Sequence, residues 1–516
     1  MALVRSIVTV SSFTLVSRVL GFLRDILIAA FLGAGGIADV FFVSFKIPNL
    51  FRRLFAEGAF NSAFIPQFAG ILEKEGKTRA QEFGEQALSV LLWSILVFVI
   101  IFQILMPYIM MGFAPGFVNG SEKYNLAVLL TRITFPYLLF ISLVSLMSGI
   151  LNSLGKFAAA AATPILLNIC LISSIIILSR YTQTTAHALA WGVSFAGAIQ
   201  FAWLLFSCCR SGFYLRLIRP RLTDNIRKMI RRILPTAIGA GVYQISLLID
   251  TILASLLPSG SISFLFFADR VNQLPLGVIG IAAGTALLPL MSRQLRSGDF
   301  EGALESQNRV IEFSLFLTLP ATFALVVLAQ PIVSVLFERG EFDAASVQAT
   351  GGALAIYAIG LPAYVIVKAL VPSYFAREDT KTPVKIGICA LLINIVLNLI
   401  LMGPFLHFGI AFATAISAWC NALALAFILK RRGDFNLDSR NFTRLPRIFA
   451  ASAIMASVIF ISVIFLHDFL LNETLIKTMI VAILIVGGLV IYCLTAFFFG
   501  AVKLEDFRKV IEREVT

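Results

Sequence analysis

The chain has 516 residues, of which 59% are hydrophobic and 13% charged, with 41 Lys and Arg against 28 Asp and Glu. Soluble domains carry about 25% charged residues, so the composition excludes a soluble enzyme and defines an integral membrane protein. The net charge of +13 does not point to nucleic acid, because the basic residues gather in alternate short loops between apolar runs.

Fourteen apolar segments succeed one another, at 7–32, 37–68, 86–112, 125–152, 157–179, 186–208, 233–257, 262–291, 308–332, 347–375, 383–403, 408–429, 446–467 and 476–500. Each is near or above the ~20 residues that a spanning helix needs. The N-terminal MALVRSIVTVSSFTLVS has the outline of a signal peptide. Arg18, Arg24 and Asp25 come directly after it and there is no A-x-A cleavage pattern, so it is read as part of the first span.

The first two segments meet at Gly33-Ala34-Gly35-Gly36 and contain Arg18, Arg24, Asp25, Asp39, Lys46, Arg52, Arg53 and Glu57. A charge near the bilayer centre costs about 3 kcal/mol even on the lower scales. So many in two spans are expected to face a watery or ligand-filled interior. Asp39, Lys46 and Arg53 are spaced by seven and Glu57 follows Arg53 by four, which puts them on one stripe of a helix that Pro48 is expected to bend. Arg18 and Asp25 share a face of the first span, with Arg24 turned elsewhere unless Gly21 lets the helix unwind. These charges either pair among themselves or bind an anion. The excess of arginine over its acidic neighbours favours the anion.

Further along, the eighth segment holds Asp269-Arg270 followed by Pro275, a charged pair that is either self-satisfied or part of a central cavity, and the tenth holds Lys368. Asp250, Asn394, Asn398 and Thr414 are oxygen donors in apolar surroundings. They suit either hydrogen bonding between helices or a hard cation such as Na⁺. The six cysteines lack metal-ligand spacing and read as small core hydrophobes. EGKTRA at 75–80 is not a P-loop, since Ile71 stands where the first glycine is required. FERGEFD (Glu338, Glu341, Asp343) reads as a solvated turn. With no zinc motif and no ATP-hydrolysing site, no cofactor is expected, and any transport must be passive or driven by an ion gradient, Na⁺ included, or the membrane potential.

Every second loop is basic, which predicts an even number of spans with both termini cytoplasmic. A faint repeat near 220 residues pairs Tyr137 and Thr163-Pro164 with Tyr357 and Thr382-Pro383. It predicts an all-α polytopic protein of 14 transmembrane helices, in two parallel six-helix lobes around a central cavity plus two C-terminal helices. The corresponding divisions are 1–220, 221–432 and 433–516, the last ending in a cytoplasmic tail.

SRVLGFLRD at 17–25, ADVFFVSFKIPNLFRRLFAEGAFNSAFIP at 38–66, FFADRVNQLPLGVIGIAAGTALLP at 266–289 and KTPVKI at 381–386 resemble the MurJ/MviN family of bacterial lipid II flippases. That family belongs to the multidrug/oligosaccharidyl-lipid/polysaccharide exporter superfamily. The resemblance implies two six-helix lobes in a V around a cationic cavity and two extra helices lining a lipid groove. It implies that lipid II, the undecaprenyl-pyrophosphate-linked peptidoglycan precursor, moves from the inner to the outer leaflet of the cytoplasmic membrane for cell-wall synthesis. Arg18, Arg24, Arg52 and Arg270 match the family's essential cavity arginines, and Asp25, Asp39, Lys46, Glu57 and Asp269 match further charged positions there. Asp250, Asn394, Asn398 and Thr414 match a sodium site of some members, with Asn398 where those members have a carboxylate. The partners so implied are lipid II, membrane lipid and wall-synthesis or division proteins. The other readings are an ion-coupled drug or cation antiporter of the same superfamily, a membrane synthase acting on lipid-linked sugars, and a non-transporting scaffold for wall synthesis. The arginine excess argues against the antiporter, the lack of a catalytic acidic set against the synthase, and the intramembrane charges against the scaffold.

Overall fold

The computed structural model describes residues 2–53, 60–117, 121–470 and 474–501; Glu57 of the predicted site lies outside them. Among the described residues the regular secondary structure is all helix, with no strand, and residues 213–223 link two helices without regular structure. In chain order the helices are α1 (Ala2–Leu32), α2 (Gly36–Phe51), α3 (Asn61–Phe113), α4 (Glu122–Thr134), α5 (Tyr137–Ser153), α6 (Phe157–Ile176), α7 (Thr185–Arg210) and α8 (Asp224–Ser255). They continue as α9 (Ser261–Arg296), α10 (Phe300–Phe337), α11 (Ala344–Ala376), α12 (Lys381–Phe405), α13 (His407–Arg431), α14 (Ser439–Phe465), the short α15 (His467–Leu470) and α16 (Thr474–Phe498). Among the described residues, ten helical stretches are long and apolar enough to cross a membrane.

Two predicted segments differ from the helices that hold them. The segment at 37–68 takes in α2 and the start of α3, with 54–59 outside the described residues, and α3 runs on to Phe113 with its backbone broken at Gly76 (φ 82°, ψ 178°). That left-handed conformation suits glycine, and it falls among the charges Lys74, Lys77 and Arg79, where a loop was expected. The segment at 125–152 is split into α4 and α5 at Phe135-Pro136, since Pro136 has no N–H to continue the helix. The cysteines also depart from expectation: Cys208 is buried, but Cys389 and Cys493 are exposed on their helices.

By packing, the chain forms two compact units, Met1–Ser263 with Arg339–Phe342, and Phe264–Glu338 with Asp343–Thr516. In the first unit, Ala188, Gly192, Ala196 and Gln200 recur every fourth residue along α7 and are all buried. Lipid is as apolar as leucine, so close approach of helices, rather than escape from water, makes such small-residue faces stick. A Cβ on Gly192 would lie 2.3 Å from Ser174 Oγ of α6, and one on Gly197 would lie 2.9 Å from the Tyr137 ring of α5. Aromatic rings fill the wider gaps, with Phe64 stacked on Phe60, Phe68 and Phe83. In the second unit, Leu328, Ile448, Met455, Ile459, Leu484 and Tyr492 join α10, α14 and α16, while Ile311, Leu370, Tyr374 and Leu425 join α10, α11 and α13. The outward faces of α12, α14 and α16 carry large exposed apolar side chains such as Leu399, Ile400, Phe460 and Ile483, as lipid-facing helices should.

Helix prolines leave a carbonyl four residues earlier without its N–H, which lipid cannot satisfy. The fold supplies other donors. Thr134 Oγ1 donates to the Ser44 carbonyl freed by Pro48, at 2.8 Å. Tyr492 Oη donates to the Phe316 carbonyl freed by Pro320, at 2.6 Å. Gln103 and Arg132 serve each other: Gln103 Nε2 donates to the Arg132 carbonyl freed by Pro136 (2.7 Å), and Arg132 Nε donates to the Gln103 carbonyl freed by Pro107 (3.1 Å). These bonds tie α2 to α4, α10 to α16, and α3 to α4.

Candidate functional site: a charged hairpin and its partners

The turn between α1 and α2 places Gly33 at φ 69°, and a Cβ there would lie 2.5 Å from the carbonyl oxygen of Glu341. Glu341 N–H donates to the Ala30 carbonyl at 2.9 Å. The FERGEFD turn is therefore docked on the end of α1 rather than solvated along its length. Its flanks are engaged too: Asp343 accepts from Ser346 N–H at the start of α11, and Glu338 accepts from Lys477 of α16 at 2.8 Å.

Within α1, Arg18 is exposed, while Arg24 and Asp25 are 7% and 3% exposed. Arg24 Nε and Nη2 donate to Asp25 Oδ1 at 3.0 and 2.7 Å, and Nη1 donates to Asn168 Oδ1 of α6 at 2.9 Å. Asn168 Nδ2 in turn donates to the Ser17 carbonyl at 2.9 Å. Gly21 lies beneath this amide, where a Cβ would be 3.4 Å from Nδ2. Arg24 therefore reaches back to its neighbour within a continuous helix, without the unwinding at Gly21 that its register suggested.

Along α2 the predicted stripe divides. Asp39 is 2% exposed and accepts from Gly260 N–H (2.7 Å), Ser263 N–H (3.0 Å), Ser263 Oγ (2.7 Å) and Lys123 Nζ (3.4 Å). A carboxylate on the first N–H groups of a helix complements the helix dipole, so Asp39 caps α9. Half-buried Lys46 hydrogen-bonds Thr251 Oγ1 of α8. Arg52 Nε donates to Asn49 Oδ1 at 3.0 Å, and Arg53 is exposed. Pro48 does not end the helix, which continues to Phe51 before a π turn at Arg52 and Arg53.

In the second unit, Asp269 accepts from Gln273 Nε2 at 3.1 and 3.3 Å, one turn along α9. Arg270 stacks on Phe266, with 4.9 Å from its guanidinium carbon to the ring centroid. Asn398 Nδ2 donates to Asn394 Oδ1 at 3.1 Å, both buried, and Thr414 Oγ1 donates to its own helix at Ile410 O. Half-buried Asp250 belongs to the first unit. Among the described residues no group of three or more His, Cys, Asp or Glu could hold a metal ion.

Sequence reasoning missed four charged positions. Lys123 bridges Asp39 and Ser259 and stacks on Phe117, and its signal was a lone cation near a base-poor loop. Arg132 lies in the last turn of α4 and closes the Gln103 carbonyl. The largest cluster is Glu312, 7% exposed on α10, which accepts from Arg309 Nη1, from Arg440 Nε at 3.0 Å and from Arg444 Nη1 at 2.7 Å. Asp438, the N-cap of α14, pairs with Arg309.

Comparison with solved structures places this architecture. An inward-facing multidrug resistance MATE family transporter of the MOP superfamily matches with a TM-score of 0.68 at 15% identity, covering 83% of this chain and 98% of that chain. At that identity the likeness is one of fold. A structure described as lipid II flippase MurJ, inward closed conformation, matches more fully, with a TM-score of 0.78 at 27% identity over 98% of this chain and 100% of that one. The fold is thus an all-helical one shared with these two transporters.

The family model described as lipid II flippase MurJ matches residues 28–497. A probable lipid II flippase MurJ of Rhizobium meliloti (strain 1021) is 45% identical over 461 residues, 88% of this chain and 86% of the relative. The corresponding Vibrio cholerae protein is 38% identical over 464 residues, 88% of each, and the lipid II flippase MurJ of Burkholderia cenocepacia is 35% identical over 442 residues, 84% of this chain and 85% of the relative. The chain belongs to the MurJ family of lipid II flippases.

Proposed function

We propose that the protein is a lipid II flippase, moving the undecaprenyl-pyrophosphate-linked peptidoglycan precursor from the inner to the outer leaflet of the bacterial inner membrane. The observation that carries this reading is the family match across residues 28–497, together with intramembrane arginine in excess of its acidic partners. It acts as a transporter, not an enzyme. Arg18, Arg24, Arg52 and Arg270 grip the pyrophosphate by charge-assisted hydrogen bonds, Asp25, Lys46, Arg53, Glu57 and Asp269 set the field around it, and Asp39 holds the start of α9.

The cycle is alternating access, in a 14-span arrangement with both termini cytoplasmic. Its lobes are 1–220 and 221–432, and the polyprenyl tail stays in lipid or along the helices of 433–516. Na⁺ or the membrane potential drives the step. The candidate Na⁺ donors are Asp250, Asn394, Asn398 and Thr414, supported by their oxygen chemistry, with Asp250 supplying the one negative charge. Wall-synthesis or division proteins are the protein partners this role calls for.

The experiment is reconstitution in liposomes with lipid II, following its exposure on the opposite leaflet with and without Na⁺ and with an imposed potential. The expected result is protein-dependent exposure that one of these gradients accelerates. No movement under any condition would overturn the flippase reading, and movement indifferent to Na⁺ would remove Asp250 and its three companions from the drive.

A further inference from the structure

Arg24 is held by two groups of different charge. A guanidinium has five N–H donors. Three are engaged here, two by Asp25 and one by Asn168. Among the described residues no partner takes the other two. Asp25 is the next residue along α1, so by itself it would hold the guanidinium back against its own helix. Asn168 comes from α6 and takes the other side of the group.

The orientation of the Asn168 amide is dictated by its surroundings. The Ser17 carbonyl can only accept and the Arg24 guanidinium can only donate, so Nδ2 must face Ser17 and Oδ1 must face Arg24. Ser17, Gly21, Arg24 and Ile28 form one stripe of α1, and the missing side chain of Gly21 lets the amide lie against it. With 4% exposure, the amide has little room to turn. An amide also directs Arg24 without cancelling its charge, as a second carboxylate would.

We propose that Asn168 is a positioning residue, which fixes Arg24 so that its two remaining N–H groups meet the pyrophosphate of the lipid substrate. This rests on the reading of Arg24 as part of the pyrophosphate grip. A structural role alone would weaken every ligand alike, whereas positioning of an anion-binding arginine sets the preference for two phosphates over one.

The test measures binding of undecaprenyl pyrophosphate and undecaprenyl phosphate to the purified full chain, comparing wild type, Asn168→Leu, Asn168→Asp, Arg24→Ala and the Arg24→Ala/Asn168→Leu double variant. Asn168→Leu removes both hydrogen bonds at similar volume. Asn168→Asp keeps the shape and a polar group, and carries the test if the leucine variant is not recovered folded. Each is expected to shrink the pyrophosphate preference by about tenfold, the scale of one hydrogen bond to a charged group. The double variant should match Arg24→Ala alone, since the two residues act through one group. An unchanged preference in the folded Asn168 variants, or additive losses in the double, would overturn the proposal. An unchanged preference in Arg24→Ala would instead mark the failure of the grip reading itself.

Discussion

Two buried arginine clusters, one in each compact unit, use the same chemistry to opposite ends. Around Arg24, one cation meets one carboxylate and a neutral amide, and two N–H groups are left over. Around Glu312, three arginines converge on one carboxylate, with Asp438 taking a share of Arg309. The first arrangement keeps donor capacity for a ligand. The second fastens α14 to α10, beside the apolar seam where α16 also packs. Arg132 is a third case, a helix cation whose Nε closes a carbonyl freed by proline. An arginine inside a membrane helix therefore does not by itself mark a substrate site.

The strongest way to break this contrast is to remove cations from each side. Arg24→Ala, Arg52→Ala and Arg270→Ala are each expected to bring lipid II flipping in liposomes to background while the protein still inserts. Arg440→Ala, 38% exposed at its side chain, is expected to keep most of the activity. Removing the shared carboxylate is the converse experiment. Glu312→Ala leaves three arginines without their counter-charge and should cost about 3–5 kcal/mol, the range for breaking a buried pair, read as a lowered thermal midpoint in detergent.

A smaller effect sharpens the account of how helices are fastened. Tyr492→Phe strands the Phe316 carbonyl and should cost about 1–3 kcal/mol. Adding Pro320→Ala restores an N–H to that carbonyl and should recover part of the loss. If the double variant is no better than Tyr492→Phe, the proline-repair reading is wrong.

The smallest effect concerns the turn between α11 and α12. Asp379 is held below the usual carboxylate range by the Thr382 hydroxyl and N–H and by Arg432, whose Nη1 lies 2.7 Å away. A depressed carboxylate adds stability that is fully present above its unfolded pKa of about 3.9 and is lost as pH falls through the folded value. Amide exchange at 379–382, corrected for the intrinsic pH dependence and measured on lowering pH from 5 to 3, should show protection weakened but retained in wild type and already absent in Asp379→Ala.

Much of the fold was legible because bilayer physics is strict. A spanning helix must be long and apolar, so α6, α7, α12 and α13 fall within a few residues of the predicted segments. Breaks inside such runs were harder to see. Pro136 is accommodated between α4 and α5 because Gln103 Nε2 repairs the Arg132 carbonyl it frees, a fact of packing that composition does not carry. The hairpin charges were legible as a set, but their partners were not. Asn168 lies 144 residues from Arg24, and an asparagine in an apolar helix looks the same whether it orients an arginine or glues two helices. Asp39 was legible as a buried charge, while its use as a cap for α9 depends on Gly260, 221 positions away. The Glu312 cluster went unread because Arg440 and Arg444 fall in a stretch that reads as a basic loop, where an orientation signal already accounted for them, whereas they belong to the first turns of α14.

The central claim is that the hairpin arginines bind the substrate's phosphates and the Glu312 arginines bind the protein. It is tested most directly by the affinity of purified wild type, Arg24→Ala and Arg440→Ala for lipid II in one binding assay. The account predicts that Arg24→Ala loses affinity by about tenfold or more while Arg440→Ala stays at the wild-type value. Wild-type affinity in Arg24→Ala, or equal losses in both variants, would contradict it.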